Sequence, residues 1–256
     1  MDTSDLDYEL PPELIAQRPA PQRDASRLLV YERETGQVRH RTFADLPDEV
    51  GPDELVVVND TRVVPARLRV RRPGGGRAEV LLLEPLDDPE RYQTVYARDP
   101  GSAAAPTAGL HFTPELLARL DVERVTLHVG LDTFRPVTAA TLEEHRLHGE
   151  RYEVRPEAWV RIRSAPHVLA TGTTTVRVLE SLARGAPLAG RTDLFATPGF
   201  EFRRVDSLLT NFHLPRTTLL ALVMAFAGFE ETRELYRLAV AERYRFYSFG
   251  DAMLIR

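Results

Sequence analysis

Short apolar runs that stop at polar residues recur along the chain. Residues 55–58 form an unbroken apolar run, typical of a strand buried on both faces, and a polar run follows directly. Residues 168–170 form a second run, which leads through Thr171 into the Gly-Thr-Thr sequence of residues 172–174. Polar residues at the carboxyl ends of buried strands are frequent ligand contacts in α/β proteins. An Asx turn after the first run and helix capping after the second are the alternatives that need no ligand.

Residues 103–150 form the strongest candidate site, because four of the seven histidines fall there. A helix that starts at a proline is predicted over residues 114–120, and alternation predicts a strand over residues 125–129. His111 therefore precedes a helix, and His128 lies near the end of a strand. Histidines delivered by loops and strand ends of a rigid frame are typical of small-molecule sites.

A further helix is predicted from Thr138 or Thr141, which would place His145 and His148 one turn apart and close to Glu150. This i,i+3 spacing with an adjacent carboxylate falls short of a helical zinc motif, and no third histidine lies at a suitable offset. Histidines near a helix C-terminus also interact favourably with the helix dipole. We therefore expect no metal.

Periodicity assigns the remaining elements. Further strands are predicted at residues 28–31, 38–43, 151–154, 193–196, 201–205 and 247–255. Further helices are predicted at residues 156–164, 173–183, 217–227 and 230–246. The pattern predicts an α/β (mixed α+β) fold, with an open mixed sheet flanked by helices.

A β-hairpin is predicted where residues 66–71 and 79–84 flank a Pro-Gly-Gly-Gly turn. Three arginines of its first strand would share one face, namely Arg67, Arg69 and Arg71. Such a face is either a solvated sheet edge or a contact surface for phosphate groups.

The composition excludes several kinds of chemistry. The chain has 256 residues, no cysteine and a net charge of −5, and all 33 of its basic residues are arginine. Thiol catalysis, thiolate metal sites and lysine Schiff bases are therefore excluded. No apolar run is long enough to span a membrane, and the acidic N-terminus is unlike a signal peptide, so we expect a cytoplasmic protein.

Ten motifs resemble one family in the same order. They are DASRLL (24–29), NDTRV (59–63) with PAR (65–67), QTVYA (93–97), APTAGLHFT (105–113), LHVGL (127–131), TFRPV (133–137), EHR (144–146), GTT (172–174), TNFHLP (210–215) and GDAML (250–254). Through them the whole chain resembles the S-adenosylmethionine:tRNA ribosyltransferase-isomerase family of queuosine biosynthesis.

The resemblance implies transfer of the ribosyl group of S-adenosylmethionine to the aminomethyl arm of a 7-deazaguanine base in tRNA. Rearrangement then gives epoxyqueuosine, and adenine and methionine leave. S-adenosylmethionine is a substrate here, and no true cofactor is implied. The chemistry needs a base beside the sulfonium and a proton donor for adenine, and histidine suits both roles.

The resemblance also implies site residues. The catalytic candidates are His111, His128, His213 and Asp251. The candidates for holding substrate are Asn59, Asp60, Thr61, Arg62, Thr107, Gly109, Thr173, Thr174, Arg177 and Asn211. Among these, Arg177 is expected to fork onto a carboxylate.

The chain departs from the family where the family carries an inserted β-barrel. We expect residues 1–62 and 93–256 to form a discontinuous catalytic domain, with a reduced β insertion at residues 63–92. The short insertion and acidic net charge argue against a large tRNA-binding surface. Two alternatives follow, namely the same ribosyl transfer to a small acceptor, and a non-catalytic relative that binds a nucleoside or RNA.

Overall fold

The computed structural model describes residues 1–64, 89–130 and 136–256, with the backbone of two further strands. The strands are β1 (Arg27–Tyr31), β2 (Val38–Thr42), β3 (Glu54–Asn59), β4 (Thr61–Val63), β5 (Arg67–Arg71), β6 (Arg77–Leu81), β7 (Asp99–Ser102), β8 (Val122–Leu127), β9 (Glu150–Glu153), β10 (His167–Thr171), β11 (Ala189–Thr192), β12 (Ser207–Asn211) and β13 (Ala252–Ile255). The helices are α1 (Leu46–Glu49), α2 (Pro114–Leu117), α3 (Pro156–Ser164), α4 (Thr173–Ala183), α5 (Thr218–Ala227) and α6 (Phe229–Ala241).

Nine of the described strands form one sheet, in the order β11-β9-β8-β3-β10-β12-β13-β1-β2. The central strands β8, β3, β10 and β12 are parallel to one another, whereas β13 runs antiparallel to β12. Strands β5 and β6 pair as a separate antiparallel hairpin. The prediction of an open mixed sheet is confirmed.

Alternate residues of the central strands face two different cores. In β3, Leu55 and Val57 belong to the larger core, together with side chains of helices α3 to α6, while Val56 and Val58 face a smaller core that contains Phe43 and Phe112. Because both faces are covered, β3 is buried along its whole length. This burial explains why its sequence is apolar without alternation.

The ends of helices α3 and α5 agree with the prediction because residues at the helix ends determine them. Helix α3 has the predicted bounds, with Pro156 at its first position, where a missing N–H costs nothing. Helix α5 begins after Thr217, whose hydroxyl accepts a hydrogen bond from the backbone N–H of Leu220 at 3.3 Å. Gly228, with φ of 105°, separates α5 from α6 in a conformation that other residues rarely adopt.

The predicted helix that carried His145 and His148 is wrong. The segment has turns and an isolated bridge between Asp2 and Thr141. Its backbone groups bond to the N-terminal segment instead, since Ala140 accepts from the N–H of Thr3 and Leu142 donates to the carbonyl of Met1. These partners replace the bonds between successive turns that a helix requires.

The predicted strands at residues 193–196 and 201–205 are also wrong. The strand in this region is β11, at Ala189–Thr192. The backbone N–H groups of Arg203, Arg204 and Val205 donate to the buried carboxylate of Glu180 at 2.9–3.1 Å, not to a neighbouring strand. A side chain therefore satisfies the donors that a sheet would otherwise use.

Several other elements are shorter than predicted. Helix α2 ends at Leu117, helix α6 ends at Ala241, and the final strand begins only at Ala252. The side chains of Arg67, Arg69 and Arg71 and the glycine turn that follows lie outside the described residues. Within the described ranges, no helix has both the length and the apolar character needed to cross a lipid bilayer.

Candidate active site

The carboxyl ends of four parallel strands meet at one edge of the sheet. Strand β3 ends at Asn59, β8 leads into His128, β10 leads into Gly172, and β12 ends at Asn211. Strand β13 is antiparallel and begins opposite Asn211, so Asp251 reaches the same edge. The topology thus gathers most of the predicted site residues.

The side chain of Asn59 holds this edge together. Its amide nitrogen donates to the carbonyl of Leu127 at 2.9 Å and contacts the hydroxyl of Thr174 at 3.3 Å. Its amide oxygen accepts from the N–H groups of Leu127, at 2.9 Å, and Thr61, at 3.2 Å. All four hydrogen-bonding positions of the amide are therefore used within the protein, which indicates a structural role.

A small cavity of about 30 Å³ lies between the ends of β10 and β12. Five predicted residues line it, namely Thr107, Thr173, Thr174, Asn211 and His213. The amide oxygen of Asn211 is buried there without a hydrogen-bond partner among the described residues. The space has room for one small group only.

The imidazole of His111 lies behind this cavity and is buried. It packs against the ring of Phe43, with centroids 4.9 Å apart, and its Nε2 contacts the amide nitrogen of Asn211 at 3.2 Å. Because the amide nitrogen is a donor, Nε2 must accept. Burial lowers the pKa of His111 to about 4, so the ring is neutral at pH 7 and orients Asn211.

His213 lines the cavity and is held from three sides. Its Nε2 lies 2.8 Å from the hydroxyl of Thr210, its carbonyl accepts from the hydroxyl of Tyr8 at 2.5 Å, and its N–H donates to the hydroxyl of Tyr236 at 3.0 Å. Burial lowers the pKa of His213 to about 3. A neutral ring at pH 7 can accept a proton or a hydrogen bond but is not an imidazolium donor.

His128 lies in a second, larger cavity of about 240 Å³. Its Nδ1 is 2.8 Å from the hydroxyl of Thr61, and its burial lowers its pKa, with a smaller contribution from Arg151. The backbone of Gly101 lies against the ring, since a Cβ at that position would come within 2.9 Å of the imidazole. His128 and the next residue, Val129, line the two cavities, which therefore flank the end of β8.

Asp60 lies beside His128 and is almost completely buried. Arg98 donates to its Oδ2 at 2.7 and 3.1 Å, and the hydroxyl of Thr126 donates to its Oδ1 at 2.7 Å. Arg62, by contrast, points outward and forms an exposed ion pair with Glu90 at 3.4 Å. Of these two predicted residues, Asp60 lines the cavity and Arg62 does not.

Asp251 and Arg177 bond mainly to protein groups. The carboxylate of Asp251 accepts from the N–H groups of Arg27, at 2.9 Å, and Arg245, at 2.8 Å, while burial raises its pKa. The guanidinium of Arg177 pairs with buried Glu150 and donates to two backbone carbonyls at 3.0 Å. These contacts occupy the guanidinium N–H groups of Arg177 that were expected to bind a carboxylate.

Gly109 is needed for packing. A Cβ at this position would lie only 2.0 Å from the hydroxyl oxygen of Tyr96 and 2.9 Å from the Cγ2 of Thr94. The backbone therefore passes close to the aromatic ring, which any larger residue would displace. A role in substrate contact is not required to explain this glycine.

Sequence reasoning missed several polar residues of the site, namely Tyr8, Arg98, Arg124, Thr126, Arg151, Thr210 and Tyr236. The alternation of Arg124, Thr126 and His128 along β8 was a readable signal, because these residues share one face of a strand. The tyrosines carried no local signal. No three His, Asp or Glu side chains in the described part of the chain are close enough to hold a metal ion.

Comparison with known proteins decides the family. A family model described as queuosine biosynthesis protein matches residues 3–86 and 83–255. The chain belongs to this family. The resemblance inferred from the ordered motifs is thereby confirmed.

Relatives within the queuosine biosynthesis protein family align along the whole chain. The chain is 46% identical over 326 aligned positions to an S-adenosylmethionine:tRNA ribosyltransferase-isomerase of Rubrobacter xylanophilus, covering 100% of this chain and 98% of the relative. It is 42% identical over 334 positions to the enzyme of that name from Thermotoga maritima, with 100% of both chains covered. Because these alignments are longer than the 256-residue chain, the relatives carry segments that it lacks.

The fold is similar to a solved structure of the same family. The crystal structure of S-adenosylmethionine tRNA ribosyltransferase from Thermotoga maritima superimposes with a TM-score of 0.72 at 39% sequence identity. The match covers 99% of this chain and 100% of that chain.

Proposed function

We propose that the protein is an S-adenosylmethionine:tRNA ribosyltransferase-isomerase. It transfers the ribosyl group of S-adenosylmethionine to the aminomethyl group of a 7-deazaguanine base in tRNA, and isomerisation gives epoxyqueuosine with release of adenine and methionine. The observation that carries this proposal is the full-length similarity, at 42–46% identity, to relatives of that name. S-adenosylmethionine is consumed as a substrate. The tRNA acceptor places the reaction in the cytoplasm.

His128 is the best candidate for the base that removes the proton beside the sulfonium. The positive sulfur acidifies the adjacent carbon, and the base must be neutral to accept the proton. Of the three candidate histidines, His128 is the least buried, and the hydroxyl of Thr61 fixes its ring. Its lowered pKa keeps it neutral near pH 7.

The small cavity is the proposed position of one polar end of S-adenosylmethionine. The amide oxygen of Asn211 is a buried acceptor without a partner among the described residues, so it fits an N–H or O–H of the substrate. Thr107, Thr173 and Thr174 supply hydroxyl groups around it. His213, which is neutral, would act there as a hydrogen-bond partner.

We further propose that residues 63–92 are a reduced insertion in a catalytic domain formed by residues 1–62 and 93–256. Two facts support this division: the family model matches in two pieces that meet near residues 83–86, and the relatives carry additional positions. If Arg67, Arg69 and Arg71 contact phosphate groups, replacing all three with glutamine should weaken tRNA binding and flatten its salt dependence. An unchanged salt slope would remove these arginines from the tRNA contact.

Incubation with S-adenosylmethionine separates the proposed function from its alternatives. Release of adenine and methionine only when tRNA with the aminomethyl-deazaguanine base is present is the expected result. Release with a small free amine acceptor instead of tRNA would indicate a redirected enzyme. Tight binding of S-adenosylmethionine without turnover, under conditions where a family relative is active, would indicate a non-catalytic relative.

A further inference from the structure

One face of strands β8 and β9 is polar from Arg124 onward along β8. On β8, Val125 and Leu127 point into the larger core, so the alternating residues Arg124 and Thr126 point to the other side. Strand β9 is antiparallel to β8, and Thr126 lies opposite Glu153. The exposed residues of β9 therefore share this polar face.

The polar face forms the floor of the 240 Å³ cavity that contains His128. Four arginines and three carboxylates line the cavity, the arginines being Arg98, Arg124, Arg151 and Arg155. The protein as a whole has a net charge of −5, whereas the charged residues that line this cavity have a small positive balance. Positive lining in a concave site concentrates anions there.

Two of these arginines are matched by carboxylates. Arg98 neutralises buried Asp60 at 2.7 Å, and Arg155 pairs with Glu123 at 3.3 Å. Arg151 has only a loose contact of 3.7 Å with Glu153, and both side chains are about two-thirds exposed, at 67% and 65%. Exposed pairs of this kind contribute little, so Arg151 can turn to a ligand.

The guanidinium of Arg124 has no ion pair or hydrogen bond among the described residues, and its Nε is buried without a partner. Neither acidic neighbour on this face forms an ion pair with it: Asp60 is bonded to Arg98, and the Oδ2 of Asp99 lies 3.3 Å from the hydroxyl oxygen of Thr126. A buried guanidinium N–H without an acceptor is unfavourable. It points to an acceptor that binds from outside the chain.

We propose that Arg124 and Arg151 bind an oxyanion of one of the two substrates beside His128. The inference rests on the proposed function. A guanidinium fork matches the paired oxygens of a phosphodiester of tRNA or of the methionine carboxylate of S-adenosylmethionine. The expected carboxylate partner from the sequence, Arg177, already bonds to Glu150.

The test compares Arg124→Gln and Arg151→Gln with Arg163→Gln as the matched control. Arg163 is exposed on α3, whose buried residues Ala158 and Ile162 pack on the opposite face of the sheet. The apparent KM values for tRNA and for S-adenosylmethionine are measured for each variant at several salt concentrations. Because Arg151 is exposed, its variant should fold even if the Arg124 variant is destabilised.

A phosphate ligand predicts a KM for tRNA raised about tenfold or more and a log–log salt slope reduced by roughly 0.7 to 1 per arginine, with KM for S-adenosylmethionine unchanged. A carboxylate ligand predicts the converse, with KM for S-adenosylmethionine raised and the salt slope for tRNA unchanged. In either case Arg124→Lys, which keeps the charge but not the fork, should recover part of the loss. The proposal is overturned if both KM values stay within about twofold of wild type, or if Arg163→Gln has an equal effect.

Failure of the proposed function would be visible separately. If the wild-type protein releases no adenine with any acceptor, the function is wrong, whatever the variants do. Equilibrium binding of the same tRNA and of S-adenosylmethionine to wild type, Arg124→Gln and Arg151→Gln would still test the anion site. Equal affinities of all three proteins for both ligands would overturn it.

Discussion

The hydroxyl of Thr61 lies 2.8 Å from Nδ1 of His128 and fixes the orientation of the only candidate histidine that is not buried. If His128 is the base, His128→Ala should lower kcat by about 10²- to 10⁴-fold. Thr61→Val removes the hydrogen bonds of this hydroxyl to His128 and to the carbonyl of Asp99, and should lower kcat by roughly 2- to 10-fold, with KM for S-adenosylmethionine unchanged. Adenine release measures both effects. Thr138→Val, at an exposed position, is the control. Wild-type activity of His128→Ala would exclude this role.

The pH dependence of activity should reflect the lowered pKa of His128. A general base works only when it is neutral, so activity is full above its pKa and declines as the pH falls through it. Because burial places this pKa below the ordinary value of 6.5, kcat/KM should reach half its maximum below pH 6.5. An acid limb centred above pH 6.5 would contradict the assignment.

Acid should destabilise the fold through His111 and His213. Their folded-state pKa values, about 4 and about 3, lie below the unfolded value of 6.5, so the unfolded chain binds more protons at acidic pH. Their contribution to stability is complete above pH 6.5 and is lost progressively as the pH falls towards the folded values. For His111 the loss is at most about 3 kcal/mol. Urea unfolding of wild type and His111→Phe at pH 7 and pH 4.5 measures it, and the wild type should lose more stability than the variant.

Arg177 and Glu150 should behave as a structural pair. Their ion pair is buried, and the Oε1 of Glu150 also accepts from the N–H of Gly130 at 2.6 Å. Removing one partner leaves a buried charge, so Arg177→Met or Glu150→Gln should reduce the free energy of unfolding by about 3–5 kcal/mol. The double variant should lose less than the sum of the single losses. If Arg177→Met stayed as stable as wild type and raised KM for S-adenosylmethionine, the substrate role first expected for Arg177 would be restored.

Segments whose sequence pattern follows their burial were predictable. Strand β3 is apolar at residues 55–58 because it is covered on both faces, and helix α3, which begins at Pro156, has its predicted bounds. The segments whose secondary structure was predicted wrongly take their hydrogen-bond partners from distant residues. Leu142 bonds to Met1, and Val205 bonds to Glu180, and no local pattern encodes either contact.

The convergence of the candidate residues was predictable, but their contacts were less so. Polar residues after buried strands do converge on one edge, which follows from parallel topology alone. Asn59, however, bonds entirely within the protein, and Gly109 is required by Tyr96. Arg151 could not be predicted from the sequence as a neighbour of His128, since its position there depends on the pairing of β8 with β9. Register across strands is set by long-range contacts that the sequence does not display.

Asn211 offers the sharpest test of the small cavity. Its amide nitrogen contacts His111, while its amide oxygen has no partner among the described residues. If that oxygen accepts a hydrogen bond from S-adenosylmethionine, Asn211→Ala should raise KM for this substrate by about tenfold, which is the effect of losing about 1.4 kcal/mol of binding.

The control for Asn211 is a buried hydroxyl close to the same cavity. Thr175 donates to the carbonyl of Thr171 at 2.6 Å and does not line the cavity, so Thr175→Val should alter stability without changing KM. Thr174→Val removes a hydroxyl that does line it and should change KM in the same direction as Asn211→Ala. Isothermal titration with S-adenosylmethionine distinguishes binding from turnover in each variant. Unchanged affinity in both Asn211→Ala and Thr174→Val would place the substrate elsewhere along the carboxyl edge, with the cavity of His128 as the next position to probe.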